Sequence, residues 1–170
     1  MKGEGWTLSA LWAAVALCAL VTGCGFQLRG AASLPFDTLF IADNHPMLVE
    51  LSRTVRSGSN ARVVSDPKVA AANFALLNEY REKVILSVNT AGRIREYQLR
   101  YAIVFRVHDG KGGEFVPPNT ITLRRDITFN DQVLAKESEE VLLYREMQSD
   151  MVQQIIRRLQ ASKLRTPDDD

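Results

Sequence analysis

The chain has 170 residues, 46% of them hydrophobic, with 21 Lys and Arg against 20 Asp and Glu for a net charge of +1. That is enough chain for one domain with its own core, too apolar for a disordered tail, and too neutral for global charge to select nucleic acid as a partner. Any binding of anions must come from cations clustered locally.

Leu8 to Val21 is nearly all apolar, carries no charge and stops at Thr22-Gly23-Cys24. This is the pattern of a secretory h-region closed by small residues, and it is short for a membrane span. Lys2 supplies the positive end, partly offset by Glu4. Val21-Thr22-Gly23-Cys24 resembles the lipobox of bacterial lipoproteins, which implies that residues 1–23 are removed and that Cys24 receives diacylglycerol. Gly25 resembles the second residue of lipoproteins sent to the outer membrane. Cys18 lies inside the removed stretch, so Cys24 is the lone mature cysteine and no intramolecular disulfide is possible. Acylation caps a thiol that would be a liability in an oxidising compartment. Loss of Lys2 and Glu4 leaves 20 basic and 19 acidic residues in a mature chain of 147.

From Phe26 onward the apolar period switches between 2 and 3.6, which predicts an α+β two-layer sandwich. Phe26 and Leu28 alternate with polar neighbours, and a short strand is expected from Thr38 to Ile41. Pro46 suits a first helical turn, and Met47, Leu48, Leu51 and Val55 follow at helical spacing until Ser57-Gly58, predicting a helix over about 46–57. Asn60 to Val64 connects into a brief strand, and Asp66-Pro67 makes a turn.

Three long strands follow as an antiparallel meander. The first spans Phe74 to Val88 and turns through Asn89-Thr90-Ala91-Gly92-Arg93. In the second, Tyr97, Leu99, Tyr101, Ile103, Phe105 and Val107 face one way and Gln98, Arg100 and Arg106 the other, so one face is buried. The third, about Thr120 to Phe129, comes after the turn at Asp109–Gly113 and the pair Pro117-Pro118. Its inward set is Ile121, Leu123, Ile127 and Phe129, and Arg125 shares that parity. A bulge that re-aims Arg125 is the expectation, with a buried ion pair or partner contact as the alternative. The strands offer polar outer faces and little exposed apolar surface.

A last helix is predicted over about 137–162, with Val141, Tyr144, Met151, Ile155 and Leu159 as its apolar stripe. Glu137, Glu139 and Glu140 near its start and Arg157, Arg158 and Lys163 near its end suit the macrodipole. One domain over 24–165 and an acidic tail over 166–170 complete the chain.

His45 and His108 stand alone near turns, with no nucleophile or metal motif beside them. The glycines at 110, 112 and 113 lack the Lys-Ser/Thr ending of a phosphate loop. No enzyme, metal or cofactor is expected. What remains is a binding or assembly role, for which Arg93, Arg95, Arg100, Arg124 and Lys136 at or near strand ends are the informative cations. Lys136 sits at the mouth of the last helix, where a cation gains nothing from the positive end of the dipole.

Cys24-Gly25-Phe26-Gln27-Leu28-Arg29-Gly30, Arg93-Ile94-Arg95-Glu96-Tyr97-Gln98-Leu99 and Leu134-Ala135-Lys136-Glu137 together resemble the LPS-assembly lipoprotein family, LptE, of Gram-negative outer membranes. The resemblance covers essentially the whole mature chain. It implies a mainly antiparallel four-stranded sheet carrying two helices. It also implies a lipid-anchored outer-membrane protein that plugs the β-barrel LPS translocon LptD, helps that barrel assemble, and binds LPS. The family's basic residue in the loop before the Glu-Tyr-Gln strand falls on Thr90 here, and Arg93, in the same loop, stands in for it. Its other LPS-contacting cation falls on Lys136. Arg93, Arg95 and Lys136 are therefore the candidate LPS-binding residues and Cys24 the lipidation site. The competing expectation is an auxiliary lipid-binding lipoprotein of an ABC-type lipid transport system.

Overall fold

The computed structural model describes residues 31–128 and 133–166 and, within the last helix, side chains from Glu139 onward. The expectations for Phe26–Leu28, Cys24 and Phe129 lie outside the described residues. In chain order the elements are β1 (Thr38–Ile41), α1 (Pro46–Gly58), β2 (Arg62–Val64), β3 (Ala72–Val88), β4 (Ile94–His108), β5 (Glu114–Thr128) and α2 (Val133–Ala161).

The strands form one five-stranded sheet in the order β2-β1-β3-β4-β5. β1 runs parallel to both β2 and β3, while β3, β4 and β5 form the antiparallel meander. The expected four-stranded, mainly antiparallel sheet is thus corrected to a mixed sheet of five. α1 carries the chain from the end of β1 back to its starting edge, so the brief strand that follows must pair in parallel, and the connection before β3 repeats the return.

α1 begins as its sequence requires. His45 Nδ1 accepts a hydrogen bond from the Met47 N–H at 3.3 Å, and Pro46 follows at the first helical position, where its missing N–H costs nothing. At the other end the Ser59 N–H and hydroxyl both donate to the Val55 carbonyl, at 3.1 and 2.8 Å.

Both helices pack on one face of the sheet. Met47, Leu51 and Val55 of α1 and Met147, Met151, Ile155 and Leu159 of α2 are fully buried with Leu99, Tyr101, Ile103, Phe105 and Val107 of β4. Burying each such side chain is worth about 1.5–3 kcal/mol. Phe74 stacks on Phe105 with ring centres 5.2 Å apart.

Two bulges depart from the sequence expectation. β5 starts at Glu114, not Thr120, and includes Pro117 and Pro118. Between Phe105↔Asn119 and Val107↔Val116 the ladder gains one residue on β5, so both prolines fall opposite Arg106 on an edge strand, where no N–H is needed. At Arg125 the register runs without a break, so no bulge re-aims it there. Arg125 stays on the helix-facing side and pairs with Asp150 of α2, with the two side chains 40% and 52% exposed. The expected bulge is therefore wrong at this position, and the ion pair is a half-exposed one.

The second bulge is at Leu77 of β3, between Leu76↔Phe105 and Asn78↔Val104. It shifts the alternation by one residue, so Glu79, Arg81 and Lys83 turn to the face that carries the helices.

Candidate functional site

The turn joining β3 and β4 is tightly made. The Asn89 N–H donates to the Arg93 carbonyl at 2.7 Å and the Gly92 N–H to the Asn89 carbonyl at 2.9 Å. Asn89 Oδ1 accepts from the N–H groups of Ala91 and Arg93, at 3.0 and 2.9 Å. Gly92 has a φ of 73°, the left-handed conformation that glycine adopts without strain. The backbone of Arg93 is thereby fixed while its side chain is exposed, as are those of Thr90 and Arg95. Neither Arg93 nor Arg95 has a carboxylate within 4 Å among the described residues.

Lys136 falls in the opening turn of α2, because the helix starts at Val133 and not at Glu137. That first turn holds no acid, which corrects the expectation of carboxylates crowding the helix start. One turn later Glu140 pairs with Lys83 of β3 at 2.5 Å. Lys136 thus stands within the opening turn of α2, one turn ahead of the Glu140–Lys83 pair.

Below this end lies a charged seam that parity counting on the sequence missed. Glu79 accepts from His45 Nε2 at 2.6 Å and from Arg81 at 3.4 Å. Arg81 donates to Gln148 at 3.4 Å, and Glu50 of α1 accepts from Gln148 at 2.7 Å and Ser149 at 2.6 Å. The Arg81 guanidinium lies over the rings of Tyr101 and Tyr144, 4.8 and 5.4 Å from their centres, and Lys83 lies 4.4 Å from the centre of the Tyr97 ring. The hydrogen bond to Glu140 raises the Lys83 pKa. Burial, then Glu79, pushes the fully buried Tyr101 phenol well up, although its hydroxyl makes no hydrogen bond of good geometry. Burial likewise raises Tyr144. The hydrogen bonds and ion pairs of this seam link α1, β3 and α2 and help to hold the first half of the long helix, with the Tyr101 hydroxyl left outside them.

The pattern of elements is shared with solved structures. The solution structure of an uncharacterised lipoprotein B from Nitrosomonas europaea has a TM-score of 0.69 and 36% identity, over 81% of this chain and 91% of that one. The crystal structure of the rare lipoprotein B from Shewanella oneidensis has a TM-score of 0.60 and 25% identity, over 71% and 89% of the two chains. The family model described as LptE, lipopolysaccharide-assembly, matches residues 36–159. This chain belongs to the LptE family. Two relatives named LPS-assembly lipoprotein LptE agree. The one from Pectobacterium atrosepticum is 30% identical over 84% of this chain and 80% of its own length. The one from Yersinia enterocolitica is 31% identical over 84% and 72%.

The relatives are named LPS-assembly lipoproteins, and those names describe assembly, not catalysis. Among the described residues no three His, Cys, Asp or Glu side chains are grouped to hold a metal. On the sheet face away from the helices Arg100 stands opposite Arg124, a like-charge pair that costs stability. Arg100 is offset by Glu82 at 3.4 Å and bonds Gln98 at 2.9 Å. The expectation of little exposed apolar surface fails near the turn. Ile85 is 53% exposed, with Leu86 and Val88 beside it, and Val141 of α2, expected in the buried stripe, is 60% exposed. The reason is that the hairpin and the first half of α2 extend past the apolar core.

Proposed function

We propose that this protein is a lipid-anchored lipoprotein of the outer membrane that works with the β-barrel LPS translocon LptD. In this role it plugs the barrel, helps it assemble, and binds LPS through Arg93, Arg95 and Lys136. The single observation that carries the proposal is the family match across residues 36–159. The relatives' names support LPS assembly, and the exposed Arg93 in the turn and Arg95 at the start of β4, neither paired to a carboxylate among the described residues, suit the anionic phosphates of lipid A. The apolar side chains exposed at the same end suit burial against a partner.

Maturation follows the same proposal: residues 1–23 are removed, Cys24 is acylated, 24–165 form the working domain and 166–170 a polar tail. A diacylglycerol and a second acyl signal give the stable attachment that one chain does not. Intact-mass measurement of the membrane fraction tests this, and an unmodified Cys24 contradicts it.

The partnership is tested by co-expressing the chain with the candidate barrel, capturing one through a tag on the other, and sizing the product. A one-to-one complex is the expected result. Capture of an ATPase-permease complex without the barrel would instead favour an auxiliary lipoprotein of an ABC-type lipid transporter.

A further inference from the structure

At the pole opposite the Asn89–Arg93 turn, the end of α2 and the start of β5 enclose an open cavity of about 410 Å³. Phe115, Val116 and Pro117 form an apolar wall, and Arg158, Lys163 and Arg165 bring three cations to the rim. None of the three has a carboxylate within 4 Å among the described residues. Glu114, next to Phe115, pairs instead with Arg106 at 3.7 Å.

Arg158 lies in the last turn of α2, where a cation suits the negative end of the dipole. Lys163 follows just past the helix end, and Arg165 lies farther on, where that account no longer serves. Arg165 is fastened there by two backbone hydrogen bonds with Glu114, each 2.9 Å, so the cavity wall is built and not a trailing end.

The chain enters the domain at this same pole. The Ala32 N–H donates to the Gly58 carbonyl at 2.6 Å, and Phe36 packs edge-on against Phe115, the cavity's apolar wall, with ring centres 5.1 Å apart. Ala31 is seven residues from Cys24, a length of chain that spans at most about 25 Å. An acylated Cys24 would therefore keep Ala31, at this pole, within that reach of the bilayer surface.

We propose that the Phe115–Arg158–Lys163–Arg165 cavity is a docking site for the phosphate headgroup of an anionic phospholipid in the leaflet that holds the anchor. The inference rests on the acylation of Cys24. The guanidinium groups match phosphate oxygens, and the Phe115 and Pro117 wall meets the less polar glycerol region. Each cation near an anionic surface is worth about five-fold in partition, so three give on the order of a hundred-fold.

The test uses the full mature lipoprotein with a fluorophore at Ala161→Cys, on the cavity rim. It is bound to phosphatidylcholine vesicles containing either brominated phosphatidylglycerol or brominated phosphatidylcholine as quencher. Several-fold stronger quenching by the phosphatidylglycerol is expected. Arg158→Gln/Lys163→Gln/Arg165→Gln should abolish the difference, while Arg158→Lys/Arg165→Lys, which keeps the charge, should retain most of it. Equal quenching by the two lipids in the unmodified rim overturns the site. So does protection by excess inorganic phosphate without a lipid preference, which would mark a site for a soluble anion. Flotation with pure phosphatidylcholine vesicles reads the anchor separately: failure to float overturns acylation, whereas flotation without quenching selectivity overturns only the cavity's role.

Discussion

Replacing Glu50 by Ala should loosen the first half of α2 selectively. Glu50 is the α1 residue that accepts from both Gln148 and Ser149, at 2.7 and 2.6 Å. Between Glu139 and Glu146 no α2 side chain is buried, whereas Met147, Met151, Val152, Ile155, Ile156 and Leu159 are. Only Leu143 and Tyr144 of the early turns reach the core, and those in part, so polar ties to Lys83, Glu82, Arg81 and Glu50 carry much of the hold. Two partly exposed hydrogen bonds to a carboxylate are worth about 1 kcal/mol each, so the variant should lose about 2 kcal/mol. For a chain of this size that lowers Tm by roughly 4–8 °C. Hydrogen exchange should show faster opening over residues 139–149 with little change over 151–159, because the latter are held by apolar packing. Glu50→Gln, which keeps an acceptor, should lose about half as much. Uniform loss of protection along α2, or a Tm shift below about 1 °C, would refute the account of how this helix is held.

Other substitutions follow from the same geometry. Tyr101 and Lys83 both have raised pKa values, so their contribution to stability is present below about pH 10 and is lost as pH rises through the folded-state values. Tyr101→Phe should therefore flatten the alkaline fall in a pH series of thermal melts and leave neutral-pH stability unchanged or slightly higher. Phe105→Ala removes a fully buried ring and should cost about 3–5 kcal/mol in denaturant unfolding. Arg125 and Asp150 are too exposed to matter much, and a double-mutant cycle should give a coupling below about 1 kcal/mol. Arg93→Asp with Lys136→Asp should weaken LPS binding by roughly a hundred-fold, equivalent to two charge-assisted contacts, with near-UV circular dichroism unchanged. Unaltered LPS affinity in that folded variant would place recognition elsewhere.

The strands and helices were legible where one period ran unbroken. The inward set Tyr97 to Val107 is the buried face of β4, and the 46–57 helix extends only to Gly58. What escaped depends on single-residue insertions that local alternation does not reveal. The extra residue at Leu77 decides that Glu79, Arg81 and Lys83 face the helices, and the one at Pro117-Pro118 lets β5 start six residues before Thr120. Arg125 was read as misplaced because its partner, Asp150, lies on another element 25 residues on. Sequence pattern placed Arg93 in the turn between β3 and β4, since a turn needs no long-range information. It could not find the Arg158–Lys163–Arg165 cavity, whose walls meet only when the end of α2 pairs with the start of β5.

The central claim is that this protein acts in placing LPS at the cell surface. Depleting it in its own bacterium while following newly made LPS by surface labelling tests that directly. The prediction is that LPS synthesis continues but its appearance at the surface falls, and that restoring the chain with an intact Cys24 recovers it. Undiminished surface LPS after full depletion would contradict the claim.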